Sequence, residues 1–80
     1  MTPETIHIGK IIQRRLKEEE RTVTWLANKL NCDRSSVYRL FDREIIDTDL
    51  LFKLSKILDY NFFDIYSREF KAMQGLKSGD

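Results

Sequence analysis

The sequence predicts an all-α fold of five helices in one small domain. Neither Gly nor Pro, the strongest helix breakers, occurs between residues 10 and 74 of the 80-residue chain. Apolar side chains recur there at helical spacing in five segments, and polar residues suited to capping a helix precede four of them. Because a chain of this length buries only a small core, we expect all five helices to share one.

The first two predicted helices are amphipathic. The first has an apolar face that ends in the acidic run 18–20, and this face consists of Ile8, Ile11, Ile12 and Leu16. Thr22 has the chemistry of an N-cap for the second helix, which is only about two turns long. The apolar face of this second helix consists of Val23, Leu26, Ala27 and Leu30.

A three-residue break separates the second helix from the third. Asn31 can adopt the left-handed conformation that ends a helix, and Asp33 can cap the next one. Cys32 precedes this cap, where it can pack against the third helix. If Val37, Leu40 and Phe41 point inward, hydrogen-bonding side chains occupy the other face of the third helix: Ser35, Tyr38, Arg39 and Asp42, flanked by Arg34 and Ser36.

Two further helices complete the predicted domain. Asp47 or Thr48 can cap the fourth helix, which has an apolar face of Leu50, Leu51, Leu54, Ile57 and Leu58. Asn61 can cap the fifth, to which Phe62, Phe63, Tyr66 and Phe70 contribute bulk. We expect the domain to occupy residues 1–70 and the polar segment 71–80 to be a frayed tail.

Composition restricts the class of protein. The 14 Lys and Arg residues against 13 Asp and Glu leave a net charge of +1, so total charge gives no indication of a nucleic-acid partner. The one cysteine excludes an internal disulfide. The sequence contains no apolar run of about 18 residues and no secretory signal, which predicts a cytoplasmic protein without a membrane partner.

The sequence also predicts that the protein is not an enzyme and needs no cofactor or metal. His7 has neither a cysteine nor a second histidine at ligand spacing. We find no phosphate-binding loop, no nucleophile next to a base and no paired carboxylates that would form an active site. Binding is therefore the expected activity.

The stretches "LANKLNCDRSSVYRL" and "DTDLLFKLSKILDYNFFDI" resemble phage repressors and Cro-like regulators of the XRE type, a family of helix-turn-helix transcription regulators. The resemblance extends over residues 8–66. An apolar residue followed by Ala marks the second helix of that family, here Leu26 and Ala27, and Val37 follows the turn as the family requires. The resemblance implies a compact five-helix domain of the lambda-repressor-like type that binds double-stranded DNA, usually as a homodimer on half-sites one helical turn apart.

The resemblance also implies which residues contact DNA. The third helix would lie in the major groove, where Arg can bond bidentately to guanine and Ser can bond several base edges. Thr22 and the first amides of the second helix would face a phosphate. The DNA-binding residues predicted in this way are Thr22, Arg34, Ser35, Ser36, Tyr38, Arg39 and Arg43.

Several positions depart from the family pattern. Val23 replaces a Gln that usually contacts phosphate, and Leu16 and Phe41 replace a common Arg–Glu ion pair. The loop 42–47 carries three acidic residues where relatives have phosphate-binding residues, while its Ile45 and Ile46 could form a dimer contact. These departures leave open a second hypothesis, that the protein is a protein-interaction module on the same scaffold, such as an antitoxin-like or anti-repressor subunit.

Overall fold

The computed structural model describes residues 6–76, and these form five α-helices and no strand, which confirms the predicted all-α class. The helices are α1 (Ile8–Glu18), α2 (Val23–Leu30), α3 (Arg34–Phe41), α4 (Thr48–Leu58) and α5 (Phe63–Leu76). They belong to two compact units, one that ends at Asp47 and one that begins at Thr48. A core shared by all five helices stays a prediction.

The first unit contains α1, α2 and α3, and α3 packs against both of the other helices. Each helix buries part of the apolar face that its spacing predicts, because side chains three and four residues apart point the same way. Ile11, Val23 and Leu30 of the predicted faces are half-buried. Leu16 and Phe41, which replace the ion pair of the resembled family, are both buried. The buried apolar residues of this unit are Ile8, Ile12, Leu16, Leu26, Ala27, Val37, Leu40 and Phe41.

The start of α1 meets the end of α3 at very close range. The amides of Ile8 and Gly9 donate to the carbonyls of Glu44 and Arg43 at 3.2 and 2.9 Å. A Cβ atom added to Gly9 would lie 2.7 Å from the carbonyl oxygen of Arg43 and closer still to those of Leu40 and Phe41. The missing side chain of Gly9 therefore permits this approach, and α1 amides satisfy carbonyls of the loop after α3.

His7 is the N-cap of α1, a local role that the sequence did not indicate. Its ring nitrogen Nδ1 accepts a hydrogen bond from the amide of Lys10 at 3.2 Å. At the other end of α1, Arg15 forms an ion pair with Glu19 at 2.8 Å, one helical turn away. These contacts stabilise the two ends of the helix.

The second unit is a pair of helices joined by a short turn. The hydroxyl of Ser55 donates to the carbonyl of Leu51 at 2.9 Å and accepts from the amide of Phe62 at 3.3 Å. Asn61 accepts from the amide of Phe63 at 3.1 Å, in agreement with its predicted capping role. The buried apolar residues of this unit are Leu51, Leu54, Leu58 and Phe62.

Helix α5 differs from the sequence-based expectation in two respects. It continues to Leu76, past the predicted start of the tail at Lys71, because no helix breaker precedes Gly75 and apolar residues recur at helical spacing up to Met73. The rest of the predicted tail, 77–80, lies outside the described residues. Of the aromatic residues expected to supply bulk, only Phe62 is fully buried, whereas Phe63, Tyr66 and Phe70 are exposed.

Within 6–76, no helix has the length and apolarity needed to span a membrane.

Candidate nucleic-acid interface

The turn between α2 and α3 has the geometry predicted from its residues. Asn31 adopts φ 61° and ψ 45°, the left-handed conformation, and the amide of Cys32 donates to the carbonyl of Ala27 at 2.9 Å. Asn tolerates this conformation better than most residues with a side chain. Cys32 itself is exposed, so its thiol is not part of the buried core, and its packing against the third helix stays a prediction. The turn thus ends α2 abruptly and lets α3 begin three residues later.

Asp33 caps α3. Its Oδ1 accepts from the amide of Ser36 at 2.9 Å and from the hydroxyl of Ser35 at 3.0 Å. These hydrogen bonds, that of the Ser36 amide above all, hold the pKa of the Asp33 carboxyl below its ordinary value, and the positive charge of Arg39 contributes further. The first turn of α3 is therefore fixed by groups of the protein itself.

The outer face of α3 carries the side chains that were predicted to point outward. Arg34, Ser35, Tyr38 and Arg39 are exposed, and Ser36 is half-buried. The ring of Tyr38 is 55% exposed and packs edge-on against the ring of buried Phe41, with centroids 6.2 Å apart. One short helix therefore presents two guanidinium groups, two hydroxyls and a phenol on its solvent side.

The polar groups of α3 keep hydrogen-bonding capacity for a ligand. Arg39 donates through Nη2 to the hydroxyl oxygen of Ser36 at 3.3 Å, which leaves further donors on the guanidinium. The Ser36 side chain accepts that bond and also hydrogen-bonds the Asp33 carboxylate, whereas the Ser35 hydroxyl donates to Asp33 and retains acceptor lone pairs. The face therefore offers both donors and acceptors, as reading base edges requires.

Thr22 lies at the N-cap of α2, as predicted. Its Oγ1 accepts from the amide of Trp25 at 3.0 Å, so the hydroxyl proton stays available to donate to an anion. The helix dipole also places partial positive charge at this end of α2. Thr22 can therefore contribute to holding a phosphate.

Two cations that the helical spacing did not single out flank Trp25, one just before α2 and one on it. The guanidinium carbon of Arg21 lies 4.5 Å from the ring centroid of Trp25, and the ammonium nitrogen of Lys29 lies 5.6 Å from the same centroid. We call these three residues the α2 cation stripe. Arg21 precedes the N-cap of α2 and Lys29 lies on the helix, each four residues from Trp25. This spacing is a signal that the sequence contains, because cations that close along the chain can stack on an aromatic ring.

Arg43 differs from the other predicted residues in its surroundings. Its side chain is exposed in the loop after α3, while its carbonyl accepts from Gly9 and fixes the loop to α1. Asp42, Glu44 and Asp47 are exposed in the same loop. The structure therefore places Arg43 among carboxylates that would repel a phosphate backbone.

All seven predicted site residues belong to the first unit. Five lie on α3, Thr22 lies at the start of α2, and Arg43 lies in the loop that follows α3. Comparison of the chain with protein-family models, with curated proteins and with solved structures finds no match. The functional assignment therefore depends on the geometry of this unit and on the chemistry of its exposed residues.

Proposed function

We propose that the protein binds double-stranded DNA in a sequence-specific manner and acts as a small transcription regulator of the helix-turn-helix class, with a fold of the lambda-repressor-like type. The observation that carries the proposal is the two-sided character of α3. Val37, Leu40 and Phe41 fix one side in the core, whereas Arg34 and Arg39 are exposed on the other. A rigid two-turn helix with this surface fits the major groove.

The roles of the individual residues follow from their chemistry. Arg34, in the first turn of α3, has the fork of donors that pairs with the O6 and N7 atoms of guanine. Arg39 and the serines would complete the contact with base edges or with nearby phosphates. Thr22 and the α2 cation stripe would bind the phosphate backbone and set the orientation of α3 without reading sequence.

The test is selection of the purified protein against a random duplex library, in parallel with Arg34→Ala and Arg39→Ala. We expect the wild-type protein to enrich a defined site, and each substitution to lower affinity for that site by about 5- to 150-fold, which is the range for loss of one bidentate base contact. Affinity for unrelated duplexes should fall much less. Fluorescence anisotropy on the selected site measures both changes.

Lys53→Ala is the charge-matched control, because it removes one exposed cation from α4 in the other unit. Equal losses in Arg34→Ala, Arg39→Ala and Lys53→Ala would show that only total charge matters and would contradict recognition by α3. Failure to enrich any site would contradict sequence-specific binding altogether.

A second candidate function is favoured by the loop 42–47. Its exposed carboxylates and Ile45, which is 75% exposed, form a surface suited to a basic protein partner rather than to DNA. On this hypothesis the chain is an antitoxin-like or anti-repressor subunit. Substitution of Asp42, Glu44 and Asp47 by their amides distinguishes the two functions: it should tighten binding to DNA if the loop lies near phosphates, and should weaken capture of a protein partner if the loop is the docking surface.

A further inference from the structure

Helix α1 carries three exposed cations that DNA binding by α3 does not use. Lys10, Arg14 and Lys17 lie four and three residues apart, which places them on one face of the helix. We call these three residues the α1 cation row. At 1.5 Å per residue, the row extends over about 10 Å.

The α1 cation row lies on the side of α1 that faces away from α3. The opposite side of the helix is buried and packs against α3, and it consists of Ile8, Gly9, Ile12 and Leu16. With 3.6 residues per turn, the middle of the row lies roughly 150° around the helix from the middle of this buried side. A duplex seated on α3 would therefore be out of reach of the row.

The cations of the row are available to a ligand. Within residues 6–76 they form no ion pair, whereas Arg15, on the flank of α1, pairs with Glu18 at 3.7 Å and with Glu19 at 2.8 Å. The two carboxylates in the last turn of α1 and at its end are thus held by a cation outside the row. The row is left as a continuous positive edge of the first unit.

The composition of this face indicates which kind of anion it would bind. Helix α1, described over its whole length, exposes no large apolar side chain. A protein interface usually has an apolar centre, and a helix that lies on a membrane inserts its apolar face, which α1 buries in the core. A nucleic-acid backbone, by contrast, is bound by cations without apolar contacts.

The surroundings of the row favour a duplex over a single strand. Proteins that bind single strands combine cations with aromatic side chains on which the bases stack. Helix α1 contains no aromatic residue, and Arg21 and Lys29 already stack on the ring of Trp25. Each strand of a duplex presents one phosphate per about 3.4 Å of its axis, so a row of about 10 Å spans about three phosphates, one for each cation.

We infer that the α1 cation row is a second DNA-binding surface, which binds the phosphate backbone of a duplex without reading its sequence. Because α3 would bind its own site on the other side of α1, one chain would join two duplex segments. Binding by the row stands without α3, whereas the joining of two segments rests on the proposed function.

The first test isolates the row from α3 and from the α2 cation stripe. The starting protein carries Arg34→Ala, Arg39→Ala and Lys29→Ala, and we call it the α3-silent protein. We expect it still to bind a duplex of arbitrary sequence, with a slope of log affinity against log salt of about −2.7 for three phosphates. Affinity should therefore fall about 40-fold between 50 and 200 mM salt, as fluorescence anisotropy measures.

Substitution of the row identifies the surface responsible. Lys10→Gln, Arg14→Gln and Lys17→Gln, added together to the α3-silent protein, should lower affinity for the duplex at least about 10-fold at 50 mM salt. The charge-matched control removes three exposed cations of the second unit and should bind as before; it carries Lys53→Gln, Lys56→Gln and Lys71→Gln. Circular dichroism checks folding, which glutamine should preserve because it is a good helix former.

The second test measures the joining of two duplexes. The site selected by the wild-type protein is immobilised, and capture of a labelled duplex of unrelated sequence is measured with the protein present. We expect the wild-type protein and the second-unit control to capture the labelled duplex. The three substitutions in the row, made in the wild-type chain, should reduce this capture at least about 10-fold and change affinity for the immobilised site less than about 3-fold.

Four outcomes would overturn the inference. They are an α3-silent protein that does not bind duplex, equal losses from the row and control substitutions, capture that the row substitutions leave intact, and tighter binding to single strands or to phosphatidylserine vesicles than to duplex. Failure of the proposed function is distinguishable, because it would leave the library selection without an enriched site and the duplex binding of the α3-silent protein unchanged.

Discussion

Gly9 shows how one residue determines how closely two helices, α1 and α3, can approach each other. Its amide donates to Arg43 at 2.9 Å, and three carbonyl oxygens from the end of α3 and the next loop occupy the space that a Cβ would need. These oxygens belong to backbone and cannot rotate away, so any side chain at this position must push α1 from α3. The position of α3 in its unit thus depends on the smallest residue in the chain.

We expect Gly9→Ala to destabilise the protein, even though alanine is the better helix former. The overlap with backbone oxygens should cost about 1–3 kcal/mol in free energy of unfolding, as overpacking of an interior does. Urea denaturation followed by circular dichroism measures the change. Lys10→Ala, at the exposed neighbouring position, is the control and should be close to neutral; a Gly9→Ala protein of equal or higher stability would contradict the close approach.

At the scale of the element, α3 shows how a short helix becomes a rigid one. Eight residues form too short a helix to be stable alone, so its stability depends on burial of Val37, Leu40 and Phe41 and on its caps. Asn31 ends α2 in a left-handed conformation, and the Asp33 carboxylate begins α3. The polar residues that are available for recognition are thus held on a helix fixed at its start and along its inner side.

The Asp33 cap predicts an acid-sensitive contribution to stability. Because hydrogen bonds lower the pKa of this carboxyl in the folded protein relative to its ordinary value of 3.8, the contribution is fully present above pH 3.8 and is lost as the pH falls through the folded-state pKa. Asp33→Asn keeps an acceptor at the N-cap but has no charge to titrate. We expect the wild-type protein to have the higher Tm at neutral pH and this advantage to shrink below pH 3.8.

Thermal unfolding of both proteins, at steps from pH 7 to about pH 2, measures this difference. Asp42→Asn is the matched control, because it removes an exposed carboxylate at the other end of α3. A difference in Tm between wild type and Asp33→Asn that stays constant across the acid range would show that the carboxylate charge contributes nothing to the cap.

At the scale of the whole molecule, the distribution of charge would affect the approach of a DNA duplex more than the total charge of +1 does. Exposed cations lie on α3 and α2, and exposed carboxylates lie in the loop 42–47. A duplex approaching α3 would therefore meet few cations and some repulsion. If α3 binds DNA as proposed, one copy should therefore bind it with modest affinity.

This arrangement predicts a moderate dependence of DNA binding on salt. With three to four phosphates neutralised by each copy at about 0.9 per phosphate, log affinity should fall with log salt at a slope of about −2.7 to −3.6 for one copy on one half-site. Lys29→Ala should make the slope shallower by about 0.9, since Lys29 belongs to the α2 cation stripe. A slope near zero, or one that Lys29→Ala leaves unchanged, would contradict phosphate contacts from α2.

Local features made much of this structure predictable. The end of α1 in the acidic run, the Thr22 and Asp33 caps and the left-handed Asn31 all depend on interactions within four residues along the chain. The inward side of α3 followed from helical spacing alone, since Val37, Leu40 and Phe41 can only share one face. The assignment of this helix to DNA remains a proposal.

Other features depended on contacts between segments that the sequence does not display. No local pattern shows that Gly9 would lie against the end of α3. The aromatic residues of α5 have the composition of a core, yet Phe63, Tyr66 and Phe70 are exposed.

The sequence by itself thus determined where α2 ends, where α3 begins and which face of α3 is polar, because caps and helical spacing act over a few residues. Only the tertiary structure decided that Gly9 joins α1 to α3 and that Phe63, Tyr66, Phe70 and Met73 are exposed on α5. Burial and close approach depend on which surfaces meet, and residues far apart in the chain settle that together.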